Sequence, residues 1–436
     1  MFAYNLRLSW LSLKKTPVLS ALMIAAIGIG IGVCMTVFIV YALMTGDPIP
    51  ARSGHLYTYV LDNHLDEDRG PNDQADPFVG YRDVINLMGS DIPVDESVHY
   101  QSSAVFHPDN AQIKPFREVL RLANNGFFRL FEVPFLYGSA WSDEADTKAQ
   151  FVIVLSRALN DKLFGGVNSV GRKVDVDGHY FEVTGVTDDF SPIPRFFETD
   201  GDVFDETDGA YVPFSLTPQL KLAKSNGSVN CIADSKGDSW EDFLDQECTW
   251  IHHWVWLKDK ADRDRYLQML KNYTVDQQQY GRYQGEYEVE IFNVMEFLKY
   301  RELVNPAYVM LIGIAFMFLV VCLLNTNGLL FAKFSGRAGE ISVRRALGCS
   351  KKRMFRQHLV EIAVIGVAGG VLGLILASGG LLALKHMFPN YDNVAHLNVE
   401  LVSIAILMSV VSTMITGLYP AWRICQLPPA RYLKAQ

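Results

Sequence analysis

The chain has 436 residues, 49% of them hydrophobic, with a formal charge of −9 and a mean hydropathy of +0.10. That mean is too apolar for an ordinary soluble protein of mixed composition, so the apolar residues must be concentrated in segments. The acids are concentrated as well: residues 45–305 hold 44 of the 48 acidic and 24 of the 39 basic residues, about −20. A phosphate backbone demands a basic face, which argues against nucleic acid as a partner.

Residues 1–17 place Leu6, Leu8, Trp10, Leu11 and Leu13 among polar and basic residues, the pattern of a cytoplasmic interfacial helix that touches lipid or a partner. A hydrocarbon core of roughly 30 Å needs about 20 apolar residues in a helix. Residues 18–44 contain no charge and are the first such run. Lys14 and Lys15 before it mimic a signal peptide. Its apolar part is about twice the usual 7 to 15 residues and no small-x-small cleavage site follows, so it reads as a retained anchor, transmembrane helix 1.

Segment 45–305 alternates strand and helix signals. HLYTYV (55–60), ESVHYQSSAVF (96–106), TWIHHWVWL (249–257) and EYEVEIFNV (286–294) are rich in aromatic and β-branched residues. ADRDRYLQMLKNYTVDQQQ (261–279) puts Tyr266, Leu267, Leu270 and Tyr273 on one helical face. Between these halves lies a β-rich insert, 119–220, with a hairpin signal at the Val-Asp-Gly-His turn, 176–179. The expected fold is membrane α-helical, four transmembrane helices with a large α+β extracytoplasmic domain of two subdomains. Of six cysteines only Cys231 and Cys248 fall in this domain. Two are what a disulfide needs in an oxidising compartment; two unpaired buried thiols are the alternative. His252 and His253 are strand neighbours on opposite faces and do not readily share a metal ion, so no metal site is expected.

The remaining uncharged runs are 306–332, transmembrane helix 2, and 401–422, transmembrane helix 4. Transmembrane helix 3, 359–384, carries one charge, Glu361, near its inner end. That carboxylate either pairs with an inner-loop arginine, as an intramembrane ion pair, or is exposed at the interface. Gly366, Gly369, Gly370 and Gly373 form two GxxxG spacings that permit close helix contact, a dimer face being one reading. The first two runs span about 40 Å, so they either project beyond the hydrocarbon or tilt. Basic residues are retained on the cytoplasmic side. Residues 1–17, the loop 333–358 with eight bases against Glu340, and the tail 423–436 are basic and belong inside. Segment 45–305 and the short loop 385–400 then lie outside.

No GxxxxGK[ST] stretch cradles phosphates, and no HExxH, GxSxG or CxxC constellation appears, so the chain is expected to be non-catalytic and to bind no cofactor itself. The scattered acids of 45–305 read as a solvated surface. Few polar residues interrupt the spans, so no substrate path through the membrane is visible.

The loop running into the third span, GEISVRRALGCSKKRMFRQHLVEIAVIGVAGGVLG (339–373), resembles the signature region of MacB-like and FtsX-like permeases: an acid, a basic pair and an Ala-Leu-Gly step before a basic helix and a glycine-rich membrane helix. GLYPAWRICQLPPARYL (417–433), NLRLSWLSLKKTPVLSALMIAAIGIGIG (5–32) and VIVLSRALNDKLFGGVNSVGRKVDVDGHYFEVTGV (152–186) resemble the family's C-terminus, N-terminus and periplasmic core domain. The resemblance implies a multi-pass protein of the bacterial inner membrane with both termini cytoplasmic and 45–305 periplasmic. It implies a permease without a fused ATPase that pairs with a second permease, identical or homologous, on ABC ATPase subunits that bind ATP and Mg. Glu340, Arg344, Arg345 and Gly348 are the residues expected to couple to the ATPase, in the cytoplasmic coupling loop 333–358; lipid binding and topology are the bland account of those charges. The implied activity is mechanotransmission, in which ATP-driven motion reaches the periplasmic domain and expels peptide, amphiphile, antibiotic or lipoprotein cargo, with a periplasmic adaptor and outer-membrane channel as further partners. The alternatives are an FtsX-like regulator of a cell-wall hydrolase and a membrane-anchored sensor without ATPase.

Overall fold

The computed structural model describes residues 2–61, 75, 77–110, 112–199, 208–231, 237–283, 288–302, 306–387 and 399–426. Most of the loop 385–400 and the tail from 427 onward lie outside them. The chain divides into two units, Met1–Thr45 with Val304–Gln436, and Gly46–Leu303.

The first unit is helical. A leading helix, Phe2–Lys15, is followed by the first membrane helix, Pro17–Thr45, whose initial proline sits where its missing N–H costs nothing. The second membrane helix is Pro306–Ser335, the third Lys351–Met387 and the fourth Val399–Gln426. All four are long and apolar enough to cross a membrane. A short helix, Ala338–Ala346, stands between the second and third. The third begins at Lys351, inside the segment expected as loop. Lysine and arginine are good helix formers, so the basic stretch KKRMFRQH prolongs the helix at the apolar run's end.

Glycine sets how closely these helices approach. A Cβ on Gly28 would stand 2.8 Å from the Leu372 side chain, and one on Gly369 would stand 2.5 Å from Ile27. On its other side the third helix meets the fourth, where a Cβ on Gly366 would stand 3.1 Å from Val410 and Ser409 donates to the Gly366 carbonyl at 2.7 Å. Both GxxxG spacings are thus filled inside the chain, one by the first helix and one by the fourth. The dimer-face reading of these glycines is corrected accordingly.

The second unit is built on a 12-stranded sheet. Its strands are β1 (Leu56–Leu61), β2 (Val79–Gly80), β3 (Asp95–His107), β4 (Phe116–Ala123), β5 (Phe135–Gly138) and β6 (Val152–Leu155). They continue with β7 (Lys173–Val176), β8 (His179–Thr187), β9 (Ala210–Pro213), β10 (Asn230–Cys231), β11 (Cys248–Trp256) and β12 (Val289–Asn293). The order is β12-β1-β11-β3-β4-β9-β6-β8-β5, with β2 and β10 on β11 and β7 on β3 and β8. The expected hairpin closes as Val176 opposite His179, and Asp177 and Gly178 take φ of 49° and 83°, the left-handed pair that a two-residue hairpin turn requires. Long β3 ties the expected insert into the one sheet: its start pairs with β11 (His99 opposite His252) and its end with β7 (Phe106 opposite Val176).

Side chains alternate across the sheet, and both faces are covered. Tyr57, Tyr59, Leu120, Leu122, Trp250 and Val255 share one core with Tyr266 and Leu270 of the helix Lys260–Gln278, the face its periodicity predicts. Leu56, Val154, Tyr211 and Trp254 point the other way into an aromatic core with Phe127, Phe131, Phe196, Phe197 and Phe297.

Candidate functional site

The short helix AGEISVRRA has two faces. Ala338, Ile341 and Ser342 are buried, whereas Val343 is 45% and Leu347 83% exposed. Glu340, Val343, Arg344 and Leu347 fall at spacings of three, four and seven, so they form one stripe. Arg344 donates to the Glu340 carboxylate at 2.5 Å, and Lys15 approaches the same carboxylate at 3.9 Å. Arg345 turns the other way and donates to the Cys425 carbonyl of the fourth helix at 3.4 Å. Two arginines adjacent in sequence thus have different tasks: Arg344 lies in the exposed stripe and Arg345 ties the helix down. Gly348 takes φ of 95°, a left-handed conformation that ends the helix at little cost only for glycine, and the Cys349 amide donates back to the Arg344 carbonyl at 3.1 Å.

Beneath this helix Glu361 is 2% exposed. Its carboxylate lies 2.7 Å from Lys333 Nζ of the second helix, 3.8 Å from Arg337 and 3.8 Å from His358 Nδ1 one turn earlier. Ser12 of the leading helix donates to it. Arg337 in turn donates to the Ser12 hydroxyl and, at 2.7 Å, to the Ser12 carbonyl. Lys333 also donates to Ser20 of the first helix at 3.3 Å. The expected arginine is therefore present, and a lysine stands closer. Nothing in the sequence pattern indicated Lys333, because a cation at the end of an apolar run ordinarily reads as snorkelling to the interface. A cavity of about 130 Å³ opens beside this cluster, lined by Ser12, Arg337, Glu340, Arg344, His358 and Glu361 among others.

The second unit holds its own buried charges. Arg121, fully buried on β4, donates to Asp208 at 2.7 Å and to Glu198 at 2.9 Å. His252 on β11 lies 3.1 Å from Glu198, and the His99 and His252 rings stack with centroids 5.3 Å apart. Burial raises the Glu198 carboxyl, but His252 and Arg121 outweigh it and hold it well below the usual carboxylate range. Burial, with Arg121 and His252 beside it, pushes the His99 imidazole well below its ordinary value. His253 faces the opposite side, where it meets Tyr59 at 2.6 Å and Glu96 at 3.1 Å. Cys231 and Cys248 stand opposite each other on β10 and β11 and are joined by a disulfide.

Among known proteins, the MacB-like periplasmic core domain matches residues 20–273 and the FtsX-like permease C-terminal domain residues 312–429. The pyoverdine export ATP-binding/permease protein PvdT of Pseudomonas aeruginosa is 24% identical over 316 residues, 72% of this chain but 42% of that protein. The chain therefore spans less than half the length of that relative. The uncharacterized ABC transporter permease YknZ of Bacillus subtilis is 21% identical, with 99% of this chain and 98% of that one aligned. The uncharacterized permease YvrN of the same organism is 22% identical over 84% of this chain and 83% of its own. A crystal structure of the periplasmic region of MacB from Actinobacillus actinomycetemcomitans aligns over 56% of this chain and 92% of its own, with 15% identity and a TM-score of 0.36. The matched domains together take in the first membrane helix, most of the sheet and the last three membrane helices, and the chain belongs to the family of MacB-like, FtsX-like ABC transporter permeases.

Proposed function

We propose that the chain is the permease subunit of an efflux transporter, docked on separate ABC ATPase subunits that carry ATP and Mg, and that it transmits their motion to the extracytoplasmic domain. The observation that carries this reading is the exposed stripe Glu340, Val343, Arg344 and Leu347 on a helix fixed to the bundle by its other face. Leu347, 83% exposed, and Val343 together form an apolar patch rimmed by a charged pair, which suits a protein partner better than it suits water. The basic flanks support a cytoplasmic side for this helix and both termini, where an ATPase works. Few polar residues interrupt the four spans in the sequence, which favours work done on the far side by rigid-body motion. The export named for PvdT, and for a MacB relative described as a macrolide exporter, supports expulsion of an amphiphile, peptide, antibiotic or lipoprotein. A second permease, and an adaptor with an outer-membrane channel, complete the proposed assembly.

The test is a distance. With the complex in lipid nanodiscs, a dye placed at exposed Tyr180 of the domain in both permease copies should report different separations in the nucleotide-free and ADP-vanadate-trapped states. An unchanged separation during ATP hydrolysis would overturn mechanotransmission.

A further inference from the structure

We infer that Glu361 is a positioning residue: it locks the leading helix, the end of the second membrane helix and the start of the short helix onto the third membrane helix, so that they move as one block. The inference rests on the coupling reading above and deepens it. Glu361 is met by Ser12 from the leading helix, Lys333 from the second membrane helix, Arg337 from the start of the short helix, and His358 from its own helix. Arg337 is the residue immediately before the short helix, and Gly336 alone separates it from Ser335, the last residue of the second membrane helix. A displacement of the short helix therefore reaches this carboxylate through one residue.

Arg337 closes a second loop of the same lock, since it holds both the hydroxyl and the carbonyl of Ser12. The ion pair of Lys15 in the leading helix with Glu340 in the short helix is exposed on both sides and carries little force. The helices that meet here share an apolar core that includes Ile341, Met354, Ile362 and Phe334. Apolar residues in place of both Glu361 and Lys333 would avoid the cost of desolvating charges, whereas loss of the carboxylate alone would leave Lys333 buried without its counter-charge. What the carboxylate supplies instead is direction: the Lys333 ammonium, the Arg337 guanidinium and the Ser12 hydroxyl converge on one point from three segments outside its own helix, which fixes their mutual geometry in a way that apolar contact does not.

The test uses the full complex of this chain with its copurifying ATPase in lipid nanodiscs, followed by amide hydrogen exchange with and without ADP-vanadate trapping. In the wild type, trapping should change exchange in both Ala338–Ala346 and Phe2–Lys15. In Glu361→Gln, which keeps the shape and a hydrogen-bonding oxygen, the response of the short helix should persist and that of the leading helix should be lost. Glu361→Asp, which keeps the charge, should restore it. A merely structural role would instead loosen both helices before nucleotide is added. If Glu361→Gln does not assemble, Ser12→Ala decides, with a selective reduction in the leading helix expected. A response in both helices of the variant that matches wild type overturns the inference. A wild-type short helix that ignores nucleotide overturns the coupling reading itself, and the two failures are thereby distinguished.

Discussion

His99 shows how a single residue ties the outer domain's stability to pH. Its ring is completely buried, accepts or donates through Ser97 at 3.1 Å and the Phe197 carbonyl at 3.0 Å, and faces Arg121, His252 and Glu198. With its folded pKa depressed, the imidazole stays neutral when folded and takes a proton when unfolded. The unfolded state then binds more protons below about 6.5, so stability is lost as pH falls through that value toward the lower folded one. The slope from this group reaches at most about 1.4 kcal/mol per pH unit. Glu198 is depressed too, but its contribution is lost only below about 4.5, outside this window. Denaturant unfolding of the purified chain, followed by tryptophan fluorescence between pH 7 and 5, should show a decline in the wild type and a flatter profile in His99→Gln. An equally steep profile in the variant would remove His99 from the account. None of this was legible in the sequence. His99 and Arg121 sit in strands whose neighbours announce a core, and only the fold brings Glu198 and Asp208 from a distant segment to meet them.

At the scale of elements, the glycines of the third membrane helix make the clearest claim. Gly369 and Gly373 receive Ile27 and Ile31 of the first helix, while Gly366 and Gly370 receive Thr413 and Ser409 of the fourth. Gly369→Val would place its Cβ 2.5 Å from the Ile27 side chain, so the helices must part along their contact. Overpacking of this kind typically costs about 1 to 3 kcal/mol. The expected outcome is a lower yield and a lower thermal midpoint of the purified chain at unchanged oligomeric state, read by size-exclusion chromatography with light scattering. Loss of a dimer with an unaltered midpoint would show that this face serves a second copy. The sequence displayed the glycine spacing plainly, because three- and four-residue periods are local. Which partner fills each groove depends on the bundle, and that information is not local. The short helix repeats the lesson: its basic pair was legible, but the division of labour between Arg344 outward and Arg345 toward Cys425 followed only from the helix being seated.

For the whole molecule, the architecture was the most legible part. Uncharged runs of membrane length, alternating aromatic and β-branched strands and the hairpin at 176–179 are each written in contiguous residues, and all appear in the fold. The convergence on Glu361 was half legible: a lone carboxylate in an apolar helix offered an ion pair or exposure at the interface, and an arginine and a lysine from the segment just before its helix meet it, whereas Ser12 comes from the far end of the chain. The account as a whole stands on the short helix being the place where an ATPase docks. The most direct measurement is purification of the tagged chain from its native host in mild detergent, with identification of what copurifies with the wild type and with Arg344→Glu/Leu347→Glu. An ABC ATPase should copurify with the wild type and be lost from the variant, whose fold is kept by the buried face of Ala338, Ile341 and Ser342 and checked by an unchanged elution volume of the purified chain. A stable wild-type complex that contains no nucleotide-binding subunit would contradict this docking.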